Sequence, residues 1–555
     1  MPARRRSQPS PSDATPPPAL RRAVGLEAVL VLVVGLLFGQ TLSHEFVRSD
    51  DVDLVAGNLP FLSELSNAPR LFTRSYFEIE GELSSLETYY RPLVVLSLML
   101  DAQFGGPEPA VYHRTNVVLH TMVVVLLFGL MMRLGAGRWA AFAAALLFAV
   151  HPLNTSTVAW IAGRNDSLLA VFALVSLVGL DATVRGSRSS PWGPGLHLAA
   201  FVLALFTKET AIVLLPAYAM LVWFWYERPM VYREVRWLPW SYAAAVVAWG
   251  TVRQLALAGG EGGATPMASM TTAVGNLPQL LAYVGKVVFP IDLHVMPSVD
   301  ARALGLGVLG LGVLALTFRR LPLRRSAVVL AWFILFLLPP LVVPDLPAYE
   351  HRVYVPLLGL ALGLSQLPGL AARLGSLAWP RLVCSALVVV FALLTLRQLP
   401  VFRDPLTFWA SATRGSSYAP IAHVNVGRIL EELGEPGRAA AEYRAALAID
   451  PLTPKANNNL GVTLMAQGRE ATARRHFERE LEVNPINAEA HFNIGLFEKI
   501  SGRPADGVPH WETALSHNSF FLPAYEELVE YYRGVGDDAN ANAYQERLEA
   551  LLDPD

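Results

Sequence analysis

Long apolar runs alternate with short polar segments up to about residue 400, and a different pattern takes over beyond it. A run of about 20 apolar residues is long enough for a helix to cross a bilayer. On that criterion the chain predicts spans near 23–42, 112–132, 138–153, 165–184, 195–207, 210–226, 237–257, 302–317, 326–343, 353–370 and 381–399. The segment 22–400 is therefore read as one hydrophobic multi-helix body, with its longest polar interruption, 43–111, directly after the first span.

After residue 420 the apolar positions repeat every 34 residues. Val426-Gly427 recurs as Leu460-Gly461 and Ile494-Gly495, Ala439 as Ala473 and then Gly507, Tyr443 as Phe477 and Trp511, and Pro451 as Pro485 and then Ser519. Small residues let two antiparallel helices approach closely, the aromatics fill the space between them, and proline ends the second helix. This is the tetratricopeptide pattern, with units at 420–453, 454–487 and 488–521 and a degenerate cap at 522–555. The predicted fold class is all-α: a polytopic transmembrane bundle of about 11 spans followed by a tetratricopeptide-repeat α-solenoid. Such stacks present a concave face to extended peptides or partner proteins.

Composition sharpens this picture in three places. Only 16% of the residues are charged, against about 25% in a soluble domain. The net charge of −2 gives no case for nucleic-acid binding. A single cysteine, Cys384, excludes an intrachain disulfide and any multi-cysteine zinc site; no cofactor and no metal ligands are assigned, and the sequence does not decide whether a divalent metal is needed. The basic residues are nearly all arginine, which points to a GC-rich bacterial genome and hence to the inner (plasma) membrane. The tail 1–21, rich in Pro, Ser and Arg, reads as disordered. No small-x-small cleavage site follows the first apolar run, which is therefore read as a retained anchor.

Arginine also orients the body. With the basic tail inside, alternate short loops carry Arg133 and Arg138; Arg185 and Arg188; Arg228, Arg233 and Arg236; Arg319, Arg320, Arg324 and Arg325; and Arg373 and Arg381. Beyond the first outside loop, the intervening loops hold mainly Arg164, Lys208, Lys286 and Arg352. This asymmetry follows the positive-inside rule. An odd span count then puts the first loop and the repeats on the same, extracytoplasmic side.

The polar chemistry gathers on that side. The first loop opens with Ser49-Asp50-Asp51-Val52-Asp53 and closes on Tyr89-Tyr90-Arg91-Pro92. His113, Asn116 and His120 share one helical face by their spacing of three and four. Further outside segments offer His151-Pro152, Gly163-Arg164-Asn165-Asp166, Lys208-Glu209 and Tyr349-Glu350-His351-Arg352-Val353-Tyr354. Each group alone reads blandly, as a solvated acid, a packing histidine, an internal ion pair or a contact to lipid phosphate. Charges beside hydrocarbon usually mark a polar cavity, and several converge on one membrane face. Carboxylates beside Arg and Lys suit a reaction with an anionic leaving group.

At these motifs the chain resembles the transmembrane and tetratricopeptide-repeat proteins, C-type glycosyltransferases related to protein O-mannosyltransferases. The matching pieces are Phe46-Val47-Arg48-Ser49-Asp50-Asp51, Tyr90-Arg91-Pro92-Leu93, His113 with Asn116 and His120, Phe148-Ala149-Val150-His151-Pro152, Ala162-Gly163-Arg164-Asn165-Asp166, Lys208-Glu209-Thr210 and Glu350-His351-Arg352-Val353-Tyr354-Val355-Pro356. The resemblance implies a polyprenyl-phosphate-linked sugar, such as mannose, as donor and a hydroxyl of a protein, peptide or glycan as acceptor. It implies Asp50 as the catalytic base with Asp51 as its partner or alternate. It makes Arg91, Arg164, Lys208 and Arg352 phosphate or pocket residues, and assigns His113, Asn116, His120, His151, Asp166, Glu209, Glu350 and Tyr354 to the pocket. The chain departs from the family at Ser156, where members often carry an acid.

Two readings compete with an inverting membrane glycosyltransferase. One is a scaffold that recruits partners through its repeats. The other is a transporter of lipid-linked sugars, which would keep its charges at the bilayer midplane and show internal repeats among its spans. The topology is testable directly: reporter fusions at Gly57 and Gly434 are expected both to report the extracytoplasmic side, and a cytoplasmic signal at Gly434 would mean an error of an odd number of spans.

Overall fold

The computed structural model describes residues 18–76, 89–186, 192–228, 231, 235–257, 266–343, 348–414, 416 and 419–552; most of the tail read as disordered, and Arg188 and Arg233, lie outside them. Among the described residues every regular element is helical. The chain divides into two compact units, Met1–Val295 with Val299–Asp404, and Pro405–Asp555 with Met296–Ser298.

In the first unit, six helices are long and apolar enough to cross a membrane: Gly25–Ser43, Pro109–Arg133, Ile161–Val184, Ala301–Phe318, Leu323–Val342 and Ala378–Phe402. Two bent pairs raise the number to eight, Arg138–Ala149 with Pro152–Ala159 and Glu350–Ser365 with Leu370–Ser376. The expectation of 11 spans exceeds this count for identifiable reasons. The runs at 195–207 and 210–226 form the shorter apolar helices Gly193–Leu205 and Glu209–Trp225. Trp237–Ala256 is a 20-residue helix, but Arg253 and polar positions keep it out of the qualifying set. The parity argument for the side of the repeats therefore lacks its count.

Both bends have local causes. Pro152 offers no N–H and holds His151 extended (φ −67°, ψ 127°), so the helix ending at Ala149 turns by 51°. Gly369 adopts φ +74°, a region that favours glycine, before the second pair bends by 69°. Ile161–Val184 is the centre of the bundle, with 83% of its apolar window buried, whereas Ala301–Phe318 and Ala378–Phe402 bury 17% and present most of their surface outward. At one end of this central helix, buried Asp181 accepts bonds from Arg133 (2.9 Å), Arg185 (2.7 Å) and the Tyr226 hydroxyl (3.0 Å). Two arginines counted in different loops of the same face thus meet on one carboxylate.

The second unit consists of helix pairs. After Pro405–Ala412 come Ala419–Glu432 with Pro436–Ile449, Ala456–Ala466 with Glu470–Val483, Ala488–Ile500 with Pro504–His517, and Leu522–Gly534 with Asp538–Leu552. A Cβ on Gly427 or Gly461 would stand 2.5 Å from the ring of Tyr443 or Phe477, and one on Gly495 would run into Trp511. The small and aromatic positions of the repeat are therefore one contact, made three times. The last unit is more regular than its sequence. The turns between paired helices use Gly434, Gly468, Gly502 and Gly536, at φ +74°, +72°, +78° and +76°. The fourth pair thus keeps the turn glycine and packs Ala524 and Leu528 against Trp511. It has lost the small–aromatic contact, because Val529 and Gln545 occupy those two positions.

Gly461→Val would force a branched side chain into the Phe477 ring and is expected to lower stability by about 1–3 kcal/mol. Gly437→Ala, in a helix with open space around its Cβ, is expected to raise it by about 0.5–1 kcal/mol. Thermal unfolding of the full-length variants distinguishes the signs, and equal shifts would refute the packing.

Candidate active site

The site begins where the chain leaves the first span. A tight turn over Gly39–Ser43 is followed by short bonds from Ser49 N to Val47 O (2.8 Å) and from Val52 N to Ser49 O (3.0 Å). This curled segment is held by Asp51, which is buried. One oxygen accepts from Val47 N at 3.2 Å and the other from Ala162 N at 3.1 Å. Asp51 therefore staples the first loop to the turn before the central helix. That turn, Ile161–Gly163, lies so close to the helix Thr155–Ala159 that a Cβ on Gly163 would come within 2.6 Å of Ser156 O. Ser156 is buried in this contact and bonds Leu153 O at 3.4 Å.

With its neighbour so fixed, Asp50 is half-buried and faces a cavity of about 480 Å³. Arg91, Asn165, Asp166, Lys208, Glu209, Arg253 and Arg352 also line it, together with Tyr89, Trp160, Tyr349 and His351. The remaining wall is mostly apolar, with Ala162, Leu169, Phe336, Pro339, Pro340, Val342, Val343, Val355 and Pro356 beside Thr210. Two ion pairs order the polar side. Arg91 meets Glu209 at 3.1 Å, and the other Glu209 oxygen accepts from Tyr90 N at 2.8 Å. The Lys208 ammonium bonds Asp166 at 2.7 Å and Asn165 at 2.9 Å. Arg91 lies against the ring of Tyr89, and Arg352 against Tyr349, at 4.4 and 5.0 Å from the ring centres. Among the described lining residues, four cations face three carboxylates, so one positive charge is left over when all are ionised.

Burial raises the Asp50 carboxyl to about 6, with the Ser49 hydroxyl at 3.3 Å pulling it down and Asp53 pushing it up. Burial likewise pushes Asp51 up, to about 8, against its two N–H bonds and with Asp50 adding to the rise. Asp50 is thus poised to exchange a proton near neutral pH, as a general base must.

The other expected site residues lie outside this cavity. Arg164 is fully buried on the opposite side of its helix turn: it pairs with Asp101 at 2.6 Å and bonds Asn116, Tyr112 O and Ser97 at 2.8, 2.8 and 3.3 Å. Asn116 also reaches Trp160 O at 2.9 Å and Val158 O at 3.3 Å. His120 bonds the Tyr354 hydroxyl at 2.7 Å and Ala149 O at 3.1 Å. His113 is buried with its ring 5.8 Å from that of His44. His151 receives Leu153 N at 3.3 Å and reaches Val287 O at 3.0 Å. Glu350 is paired with Lys286 at 2.8 Å and receives His294 N at 3.2 Å. These groups stitch helices together.

Several lining residues had no assigned role in the sequence, among them Tyr89, Trp160, Asn165, Arg253, Tyr349 and His351. Tyr89, Tyr349 and His351 sit inside its motifs, so adjacency was the available signal. Trp160 precedes Ala162 by two positions, and Arg253 had no signal at all. No group of three or more His, Cys, Asp or Glu arranged to hold a metal occurs among the described residues.

Removing one member of a buried ion pair leaves an uncompensated charge. Asp101→Ala is expected to destabilise the body by about 3–5 kcal/mol. Asp292→Ala, which frees only the exposed Arg302, is expected to cost about 0–1 kcal/mol. Melting temperatures of the two purified variants give the comparison, and similar losses would show that Arg164 is not held as described.

A tetratricopeptide-repeat family profile matches residues 410–454, 424–479 and 458–515. Protein O-mannosyl-transferase TMTC1 of Homo sapiens is 32% identical over 209 residues, covering 35% of this chain and 24% of that protein. TMTC4 of Homo sapiens is 30% identical over 224 residues, covering 37% and 29%, and TMTC2 of Mus musculus 32% identical over 231 residues, covering 39% and 27%. The chain thus spans less than a third of the length of these curated relatives. Among solved structures, the crystal structure of MamA aligns with 27% of this chain and 86% of its own at 18% identity and a TM-score of 0.24. The chain thus has apolar helices of membrane-crossing length and a tetratricopeptide-repeat array, and over about a third of its length it is similar to the transmembrane and tetratricopeptide-repeat proteins.

Proposed function

We propose that the protein is a membrane-embedded glycosyltransferase that moves a sugar, mannose by analogy with its relatives, from a polyprenyl-phosphate carrier to a hydroxyl of a protein or peptide. The observation that carries this reading is one cavity holding the Asp50 carboxyl together with Arg91, Lys208 and Arg352, and lined as well by apolar residues such as Leu169, Phe336 and Val355. A lipid-linked phosphate needs both surfaces: cations for the anion and hydrocarbon for the chain.

In this mechanism Asp50 takes the proton of the acceptor hydroxyl as its oxygen attacks the anomeric carbon. The bond to the phosphate oxygen breaks and the lipid phosphate leaves as an anion. A single displacement inverts the anomeric centre. Arg352, a planar donor beside the cavity, is suited to a phosphate, and the excess of cations favours the charge that develops on the leaving group. Asp51 acts through position, since both of its oxygens are engaged by backbone N–H groups. Arg91 and Lys208, already paired with Glu209 and Asp166, set the shape and field of the polar wall. The repeats supply a surface for the acceptor polypeptide. The extracytoplasmic side follows from the arginine distribution and belongs to the same proposal.

The test is turnover with saturating polyprenyl-phosphate sugar and a hydroxyl-bearing peptide. Asp50→Asn is expected to reduce transfer by a factor on the order of 10²–10⁴ while leaving the melting temperature near wild type. Asp51→Asn turns an amide N–H toward a backbone N–H and is expected to lose stability as well, by about 1–3 kcal/mol; Asp53→Asn is expected to change transfer least. The base works deprotonated, and its pKa is raised to about 6. Transfer should therefore fall about tenfold per pH unit below about 6 and level off above it. Full activity of Asp50→Asn, or a rate unchanged between pH 5 and 7, would refute the assignment.

A further inference from the structure

A second cavity, of about 520 Å³, lies between the helices Arg138–Ala149 and Ala378–Gln398 and shares no lining residue with the first. Its walls are apolar, with Phe142, Leu146, Val388 and Val389, and the short helix Leu370–Ser376 closes one end through Leu374 and Gly375. Its volume falls in the range of small-molecule sites, about 300–1,000 Å³.

The closed end is cationic. Arg381 lines the cavity, donating from Nε to Leu374 O at 2.7 Å and from Nη2 to Gly375 O. Those carbonyls orient the guanidinium without neutralising it. Arg373 stands exposed on the closing helix. Among the described residues no carboxylate pairs with either arginine. Trp139 and Trp379 are 46% and 62% exposed at this same end. Exposed tryptophans beside basic residues mark the level of the lipid headgroups. An apolar slot whose headgroup-level end carries two unneutralised arginines matches a molecule with a hydrocarbon chain and an anionic head.

We propose that this slot binds an anionic glycerophospholipid of the surrounding membrane, with an acyl chain along Phe142, Leu146 and Val388 and the phosphate at Arg381 and Arg373. Guanidinium groups hold phosphate through paired N–H donors, and basic pockets between transmembrane helices select anionic headgroups. The site is separate from the proposed transfer chemistry and stands or falls without it.

The only cysteine, Cys384, lines the slot and serves as its reporter. The full-length protein in detergent would be alkylated with N-ethylmaleimide while dioleoylphosphatidylglycerol or dioleoylphosphatidylcholine is titrated in. Phosphatidylglycerol is expected to protect the thiol at concentrations where phosphatidylcholine does not. Arg373→Gln and Arg381→Gln are each expected to raise the concentration needed by about fivefold. Arg373→Gln is the decisive variant, because Arg381 also braces the closing helix. Val388→Trp fills the slot and is expected to abolish the number of phosphatidylglycerol molecules retained per protein in native mass spectrometry. Equal protection by both lipids, no protection by either, or protection by a polyprenyl phosphate but not by phosphatidylglycerol would overturn the proposal. So would an Arg373→Gln variant with an unchanged titration.

Discussion

The membrane body depends on how Asp51 is bound. A carboxyl taken out of water needs donors, and Asp51 finds them in two backbone N–H groups, one at Val47, four residues before it, and one at Ala162, 111 residues after it. That pair of bonds fixes the curl of the first loop against the start of the central helix. Asp50, one residue away, has no comparable anchor and is left facing the cavity. Division of labour within the acidic pair thus follows from which carboxylate the backbone uses up.

The same logic sorts the remaining charges. Arg164 and Asp166 are two positions apart at the start of one helix, yet they serve opposite sides. Arg164 is enclosed by Asp101, Asn116, Ser97 and Tyr112 O, and holds three helices together. Asp166 turns to Lys208 at the cavity wall. A buried pair of this kind adds little net stability, because desolvation offsets the attraction, but breaking it is costly. Such pairs fix register between helices whose apolar faces alone would slide. The cavity lined by Asp166 and Lys208 combines an excess of positive charge with apolar residues in one wall.

The repeat unit is built on a different principle. Its contacts span 16 residues within a unit, Gly427 to Tyr443, Gly461 to Phe477 and Gly495 to Trp511. Each helix pair is closed by a left-handed glycine 34 residues from the next. Local contacts of this kind appear in the sequence as a period, which is why the first three repeats could be drawn at the residue level. The fourth lost the small–aromatic pair and so looked degenerate, but Gly536 kept its turn and Leu528 kept its place against Trp511.

Legibility in the sequence therefore tracks the range of the interaction. Hydrocarbon length and composition act residue by residue, so the apolar helices, the arginine asymmetry and the repeat period could all be read along the chain. Breaks were harder, since Pro152 and Gly369 redirect helices whose hydropathy runs on through them. The motifs named most of the polar residues near the site, and Asp50, Arg91, Asp166, Lys208, Glu209 and Arg352 do share a cavity. Which way each side chain points was invisible, because Arg164, His120, His151 and Glu350 carry the same polarity as the lining residues and differ only in their partners. Trp160 entered the wall from just outside a motif, and Arg253 from a segment with none. Those assignments belong to the tertiary structure for one reason: near hydrocarbon a charge must find a partner, and the partners here are brought from segments tens to more than a hundred residues away.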